Sequence, residues 1–307
     1  MVSMAGMASL HGGWCWLLAV LPGAPVLAQQ PISPAGAPVL AQQPISPADS
    51  APVIAFPGQY APRPKEKFAP WPQFCRRFTE AAERAACYEH VVFDFGRLDR
   101  YAAANAALVA PKSNERRVVF FGDSITDNWS KQAFGGFFPG KPYVNRGIGG
   151  QTTAQMLVRM RADVIDLKPA VVVILAGTND VSGNAGPMTP EGIEANLASL
   201  AELARASNIK VVLASLLPVG DDKTDPAGKA IMRSKDRPPG VLRALNQWIA
   251  GYARKSRHVF LDYYGALADS AGTFKPQFNY DGLHPNAAGY AVMGPLAEKA
   301  IAEALRR

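Results

Sequence analysis

The sequence predicts an α/β fold, a five-stranded parallel sheet covered by helices. Three observations predict it. From Arg117 onward, short β-branched runs alternate with longer segments of helical periodicity, the pattern of βα units building a parallel sheet. The helical segments carry their apolar residues in single stripes, and a stripe is most simply buried against a sheet face. Finally, polar and Gly-rich clusters follow the strands, where the loops of such a sheet leave for the helices and where ligands sit.

The chain opens with a segment outside that pattern. Of the 307 residues the first charged one is Asp49, so the opening stretch is not ordinary globular surface. Trp14 to Val20 has the apolar character of a secretory signal, although no Lys or Arg precedes it, and Val26-Leu27-Ala28 before Gln29 offers the small residue that a signal peptidase requires. Residues 1–28 are therefore expected to be a signal peptide and the mature protein to be extracytoplasmic, periplasmic or secreted. Residues 23–35, GAPVLAQQPISPA, recur unchanged at 36–48, which copies the cleavage-like site as Val39-Leu40-Ala41. The unit is too short and too Pro-rich for a solenoid, and with Pro52, Pro57, Pro62 and Pro64 it reads as an extended linker over 29–70. The folded domain is expected over 71–307.

That domain begins with a helical extension. Phe74, Phe78, Ala81, Ala82 and Ala85 recur at helical spacing, and a second helical stretch runs from about Phe93 to Leu108. Export would remove Cys15 and leave Cys75 and Cys87, a pair that an oxidising compartment could join. On one continuous helix, however, their Cα atoms would stand about 18 Å apart, too far for a bridge, so free thiols are expected unless a turn interrupts the helix.

Strands are predicted at Val118 to Phe121, Tyr143 to Asn145, Val171 to Leu175, Val211 to Ala214 and Val259 to Leu261. Met156, Met160, Val164 and Leu167 form one helical stripe, and Ile193, Leu197, Leu200 and Ala204 another, opened by Thr189-Pro190 as cap and first-turn proline. A closing helix starts after Asn286, with Pro295 placed to bend it. Pro218 to Gly240 is charged and rich in Pro and Gly, a connection long enough to serve as a rim or lid, or simply as a solvated loop.

Composition removes several classes of function. Hydrophobic residues make up 48% and charged residues 19%, which excludes disorder of the whole chain. The early apolar run falls far below the roughly 18 residues of a membrane span. The net charge of +7 is scattered, so no nucleic-acid partner is expected. No Cys-x-x-Cys or His-Glu-x-x-His occurs, so neither a metal nor a cofactor is expected. Gly135 to Lys141 matches part of a phosphate-binding loop, but Pro142 stands where Ser or Thr must follow. Gly147-Ile148-Gly149 fails as a dinucleotide loop because Thr152 holds the third glycine position. No Gly-x-Ser-x-Gly elbow is present.

What remains is nucleophilic chemistry. A serine hydroxyl needs a base within reach and a third group to hold that base in the right tautomer. Of the four histidines, His11 lies in the leader, His90 precedes an apolar stretch and His258 begins a predicted strand, which leaves His284 on a rim loop. Asp281, three residues earlier, can accept the Nδ1 proton and leave Nε2 facing Ser124 after the first strand. Donors for a developing oxyanion are available in the Ser124 N–H, the Gly150 N–H and the Asn179 side-chain amide. Asp123 and Asp180 adjoin these positions and are expected to cap loops through backbone N–H groups rather than to react. Trp129, Phe134, Phe137 and Phe138 either line an acyl pocket or form a satellite core.

Four motifs, Gly-Asp-Ser-Ile-Thr, Asn-Arg-Gly-Ile-Gly-Gly-Gln-Thr, Gly-Thr-Asn-Asp and Asp-Gly-Leu-His-Pro-Asn, stand in one order. In this the chain resembles an SGNH hydrolase of the GDSL esterase and lipase superfamily, from about Phe93 to the C-terminus, and among its subgroups the bacterial lysophospholipase- or platelet-activating-factor-acetylhydrolase-like esterases. The resemblance implies a three-layer α/β/α flavodoxin-like sandwich with sheet order 2-1-3-4-5. It implies Ser124 as nucleophile, Gly150 and Asn179 as oxyanion donors, Asp281 and His284 completing the triad, and a small-molecule carboxylic ester as substrate, either a short-chain acyl ester or a lysophospholipid-type lipid. The competing expectation is a carbohydrate- or lipid-binding protein on the same fold that has lost catalysis; such a chain would typically lack a triad member.

Overall fold

The computed structural model describes Cys75 and residues 79–307. The expected signal peptide and linker, and Phe74 and Phe78 of the first stripe, lie outside the described residues.

Helix α1 (Ala81–Phe93) begins six residues after Cys75, so the twelve positions separating the cysteines do not climb one helix. Cys75 and Cys87 are disulfide-bonded, with Cα atoms 5.5 Å apart. The expectation of free thiols is therefore corrected: it assumed a continuous helix, and the helix starts too late. A second break follows. Asp94 accepts hydrogen bonds from the N–H groups of Leu98 and Asp99 at 2.9 and 3.0 Å, and Arg97 takes φ +55°, so α2 starts afresh as Asp99–Ala107.

The chain then runs through β1 (Val118–Gly122), α3 (Ser124–Asn128), β2 (Tyr143–Gly147), α4 (Thr153–Asp163), β3 (Val171–Leu175), α5 (Thr178–Val181), α6 (Pro190–Ala206) and β4 (Lys210–Ala214). A two-residue hairpin follows, β5 (Lys223–Thr224) and β6 (Ala230–Ile231), then α7 (Arg233–Asp236), α8 (Pro239–Lys255), β7 (Val259–Leu261), α9 (Tyr263–Leu267) and α10 (Ala287–Arg306). Five strands pair in parallel in the order β2-β1-β3-β4-β7, which is the expected 2-1-3-4-5 arrangement.

The pleat explains why these strands are apolar throughout. Val119 and Phe121 of β1 and Val172 and Ile174 of β3 point into one core, against Met156 and Met160 of α4, Leu197 of α6 and Leu245 of α8. Their neighbours Val118, Phe120, Val171 and Val173 point into a second core, against Met293 and Ala297 of α10 and Tyr263 of α9. A sheet covered on both faces has no solvent side, so alternation gives way to continuous hydrophobic runs. α10 continues through Pro295 as one helix, capped by the Asn286 side chain on Gly289 N–H at 3.0 Å.

The order places β1 between β2 and β3. The chain leaves β1 toward one edge and returns across it to reach β3, which opens a crevice at the carboxyl ends of these strands. The segment from Pro218 to Gly240 is not a plain loop. It contains β5, β6, α7 and the start of α8, a helix the strand-and-stripe reading did not include.

Candidate active site

The close approach of α3 to the sheet fixes the start of the site. A Cβ at Gly122 would stand 2.2 Å from Thr126 Oγ1 and 2.8 Å from the Leu175 carbonyl oxygen, so only glycine ends β1 here. Asp123 caps α3 by accepting the Ile125 N–H at 2.9 Å, and this makes Ser124 the first helical residue, with its N–H among the orphan donors of a helix start.

Ser124 Oγ lies 2.9 Å from His284 Nε2, although 160 residues separate them. On the other side of the ring, His284 Nδ1 lies 2.9 Å from Asp281 Oδ2 and 3.1 Å from Oδ1. An ionised carboxylate only accepts, so Nδ1 carries the proton and Nε2 receives the Ser124 hydroxyl. The Asp281 loop is wound to present that carboxylate: Oδ1 also accepts the N–H groups of His284 at 2.8 Å and Leu283 at 3.1 Å, while Gly282 turns at φ +83°. Partial burial pushes the Asp281 carboxyl up, but the hydrogen bond and charge of His284, with these two N–H groups, outweigh it and hold the acid well below the ordinary carboxylate range. Asp281 is an anion throughout the neutral range.

The two adjacent glycines, Gly149 and Gly150, differ in their hydrogen bonds. Gly149 N–H is directed at Asp127 Oδ2, 3.2 Å away. Gly150 takes φ +81°, and its N–H meets no acceptor among the described residues. Asn179 is buried in α5 with its amide fixed on both edges. Its Oδ1 accepts from Asn184 Nδ2 at 3.1 Å and from Arg237 at 3.3 Å; its Nδ2 donates to the Gln151 carbonyl at 3.0 Å and has a longer contact, 3.4 Å, with Asp123 Oδ2. The structure thus brings Ser124, Gly150, Asn179, Asp281 and His284 to one rim.

The neighbouring acids behave as caps. Asp180 receives both the N–H and the hydroxyl of Thr153 at the start of α4. Burial raises both Asp123 and Asp180 to about 6; the hydrogen bonds they accept work against that rise. His258 is buried at the start of β7, and burial lowers its pKa. Trp129, Phe134, Phe137 and Phe138 pack with Phe120 and Tyr290 as part of the second core rather than a separate satellite one, and Trp129, Phe134 and Phe138 also wall a cavity of about 400 Å³ against α10. Phe134 meets the ring of Tyr280, beside Asp281, at 5.8 Å.

Several residues that support the site were not singled out in the sequence. Arg233, in α7, reaches Asp281 Oδ2 and its carbonyl oxygen, each at 3.1 Å. The extension before β1 holds the glycine loop: Tyr101 donates to the Gly147 carbonyl, and Gln151 Nε2 donates to the Gly96 carbonyl at 2.8 Å. Arg159 and Asp163 form a fully buried pair beneath it. A charged turn with arginines four apart was visible in the sequence, but what it grips was not.

Ser124, His284 and Asp281 thus stand in hydrogen-bonded series at the carboxyl edge of a parallel α/β sheet. Residues 120–292 match the GDSL-like lipase/acylhydrolase family, and the chain belongs to it. It is 30% identical over 142 residues to esterase TesA of Pseudomonas aeruginosa, a match covering 46% of this chain and 60% of TesA. A shorter match, 34% over 79 residues, relates 25% of the chain to 32% of the lipoprotein YqeF of Bacillus subtilis. The chain therefore spans less than two thirds of these curated relatives. Among solved structures, a GDSL-like lipase from Bacteroides thetaiotaomicron is 40% identical with a TM-score of 0.62, covering 69% of this chain and 100% of that one.

Proposed function

We propose that this chain is a serine ester hydrolase working through an acyl-enzyme intermediate. The observation that carries the reading is the unbroken series from Ser124 Oγ to His284 Nε2, and from His284 Nδ1 to Asp281, each link 2.9 Å. As the Ser124 oxygen attacks the ester carbonyl, His284 takes its proton, and the anionic Asp281 stabilises the imidazolium that forms. The carbonyl oxygen becomes an oxyanion facing the N–H groups of Ser124 and Gly150 and the second N–H of Asn179, which in the free protein has only the long contact to Asp123. Collapse breaks the ester bond, and His284 hands its proton to the departing alcohol. Water, deprotonated by His284, then releases the acid and restores Ser124.

The substrate class is carboxylic esters, short-chain acyl or lysophospholipid-type. Export of the mature protein is part of the same reading. It is supported by the apolar leader and by the Cys75–Cys87 disulfide, which suits an oxidising compartment.

The test is hydrolysis of p-nitrophenyl esters from acetate to palmitate by the purified mature chain, with Ser124→Ala and His284→Ala as controls. Each substitution is expected to remove nearly all turnover, and the preferred chain length separates a short-acyl site from a lipid-accepting one. A folded chain inactive on every ester, or a Ser124→Ala variant keeping more than about a tenth of the activity, overturns the proposal.

A further inference from the structure

We propose that Arg237 is a positioning residue of the oxyanion hole: it grips the amide oxygen of Asn179, so that the N–H edge of that amide faces the reacting carbonyl. The proposal rests on the esterase reading above.

Arg237 follows α7, and its own N–H closes that turn on the Arg233 carbonyl at 3.0 Å. Two prolines come next, Pro238 and Pro239, which fix φ and set the direction in which the chain enters α8. From this anchored position the guanidinium reaches three oxygens of the α5 turn: Thr178 Oγ1 at 3.2 Å, Asn179 Oδ1 at 3.3 Å and Ser182 Oγ at 2.9 Å. All three are neutral. The residue is only 6% exposed, and among the described residues no carboxylate lies within ion-pairing distance of it.

A buried cation with no acid in contact, only the through-space pull of Asp123, Asp236 and Asp281 against its burial, is a costly way to hold a turn, and an apolar side chain would fill the same space at less expense. The charge makes sense by what lies beyond the amide. Guanidinium nitrogens only donate, so the Asn179 atom facing Arg237 must be its oxygen, and this settles which way the amide points. Asn184 Nδ2 supports the same orientation at 3.1 Å and also holds the Gly150 carbonyl at 3.0 Å. With its oxygen against a cation, the amide is polarised along the direction in which its N–H must donate, and hydrogen bonds in series strengthen one another in a low dielectric. The effect is largest in the transition state, when negative charge develops on the far side of the amide.

The test is a cycle on the full-length mature chain, with turnover of the best p-nitrophenyl ester as readout: Arg237→Gln, Arg237→Lys, Asn179→Ala and the two double variants, with Ser124→Ala alongside. Arg237→Gln keeps a donor and loses the charge; it is expected to lower kcat about tenfold or more, with KM changed less than about twofold, and Arg237→Lys to recover part of the loss. With Asn179 already replaced by Ala, the same Arg237 changes are expected to cost less than about twofold. Undiminished kcat in Arg237→Gln, or an equal fold-loss with and without Asn179, overturns the proposal. Should Arg237→Gln fail a thermal-unfolding check, Arg237→Lys in the two backgrounds decides by the same criterion. If Ser124→Ala retains turnover, the esterase reading itself falls; if only the Arg237 cycle is additive, that reading stands and this inference alone is lost.

Discussion

Asp163→Ala isolates one interaction beneath the glycine loop, where its cost can be reasoned in advance. Arg159 is fully buried and Asp163 is 1% exposed, with Nη1 and Oδ2 3.0 Å apart one helical turn along α4. The guanidinium also donates to Gln151 Oε1, to the Arg146 carbonyl at 2.8 Å and to the Gly122 carbonyl at 2.8 Å, and it lies 4.2 Å over the Phe121 ring. Burial pulls the Arg159 pKa down to about 10, against the pull of Asp163, so the residue is still a cation at neutral pH. Removing Asp163 leaves that cation buried with no acid to balance it and also strips Asn105 Nδ2 of an acceptor at 2.7 Å. Breaking a buried pair in this way typically costs about 3–5 kcal/mol. For a domain of this size each kcal/mol moves Tm by roughly 2–4 °C, so a fall of about 10 °C is expected. Urea unfolding followed by circular dichroism, with Tm from a thermal scan, measures it. The double variant Arg159→Met, Asp163→Leu should recover much of the loss because no charge is then stranded. A single-variant cost below about 1 kcal/mol would refute the view that this pair is a tightly coupled buried unit.

The Gly282→Ala variant would put a Cβ 2.3 Å from the Gly220 carbonyl oxygen at a residue with φ +83°, so the Asp281–His284 loop must shift. A stability loss of about 2–4 kcal/mol and a fall in kcat/KM of about tenfold or more are expected from unfolding and ester-hydrolysis assays, and unchanged values in both would contradict the crowding argument. The pH dependence of stability has opposing parts. Asp123 and Asp180, raised from 3.8 to about 6, bind protons in the folded state that the unfolded chain does not yet bind, so they add stability as pH falls from 6 toward 4. His258 is lowered by burial and by nearby Arg205 and Arg307, so below its ordinary value the unfolded state takes the proton and stability drops. His258→Gln is therefore expected to gain on the wild type in urea midpoint between pH 7 and pH 5, and an identical difference at both pH values would rule that out.

The fold was legible wherever burial on both faces leaves a periodic trace. Val171–Leu175 and Val259–Leu261 form strands with the boundaries read from the sequence, and the stripe from Met156 to Leu167 lies on α4 and the turn after it. The expected five-stranded parallel sheet is present in the expected order. The segment after Gly240 shows the limit of the reading. Leu242, Leu245, Ile249 and Ala253 make a buried helical stripe on α8, but the Pro- and Gly-rich run before them drew the whole stretch toward a loop. The cysteines show another limit: the stripe from Phe74 to Ala85 suggested one helix, and the late start of α1 allowed the bridge.

By itself the sequence determined which residue types cluster after each strand, because strand, turn and helix start are local events written in neighbouring residues. That is how Ser124, Gly150, Asn179, Asp281 and His284 could be singled out. The tertiary structure alone decided their partners. Whether Gly149 or Gly150 leaves its N–H free depends on Asp127, 22 positions away, and which way the Asn179 amide points depends on Arg237, 58 positions away. A hydrogen bond between distant segments leaves no period in the chain. It exists only once the sheet order has brought its two ends within about 3 Å, and that distance is a property of the packed molecule.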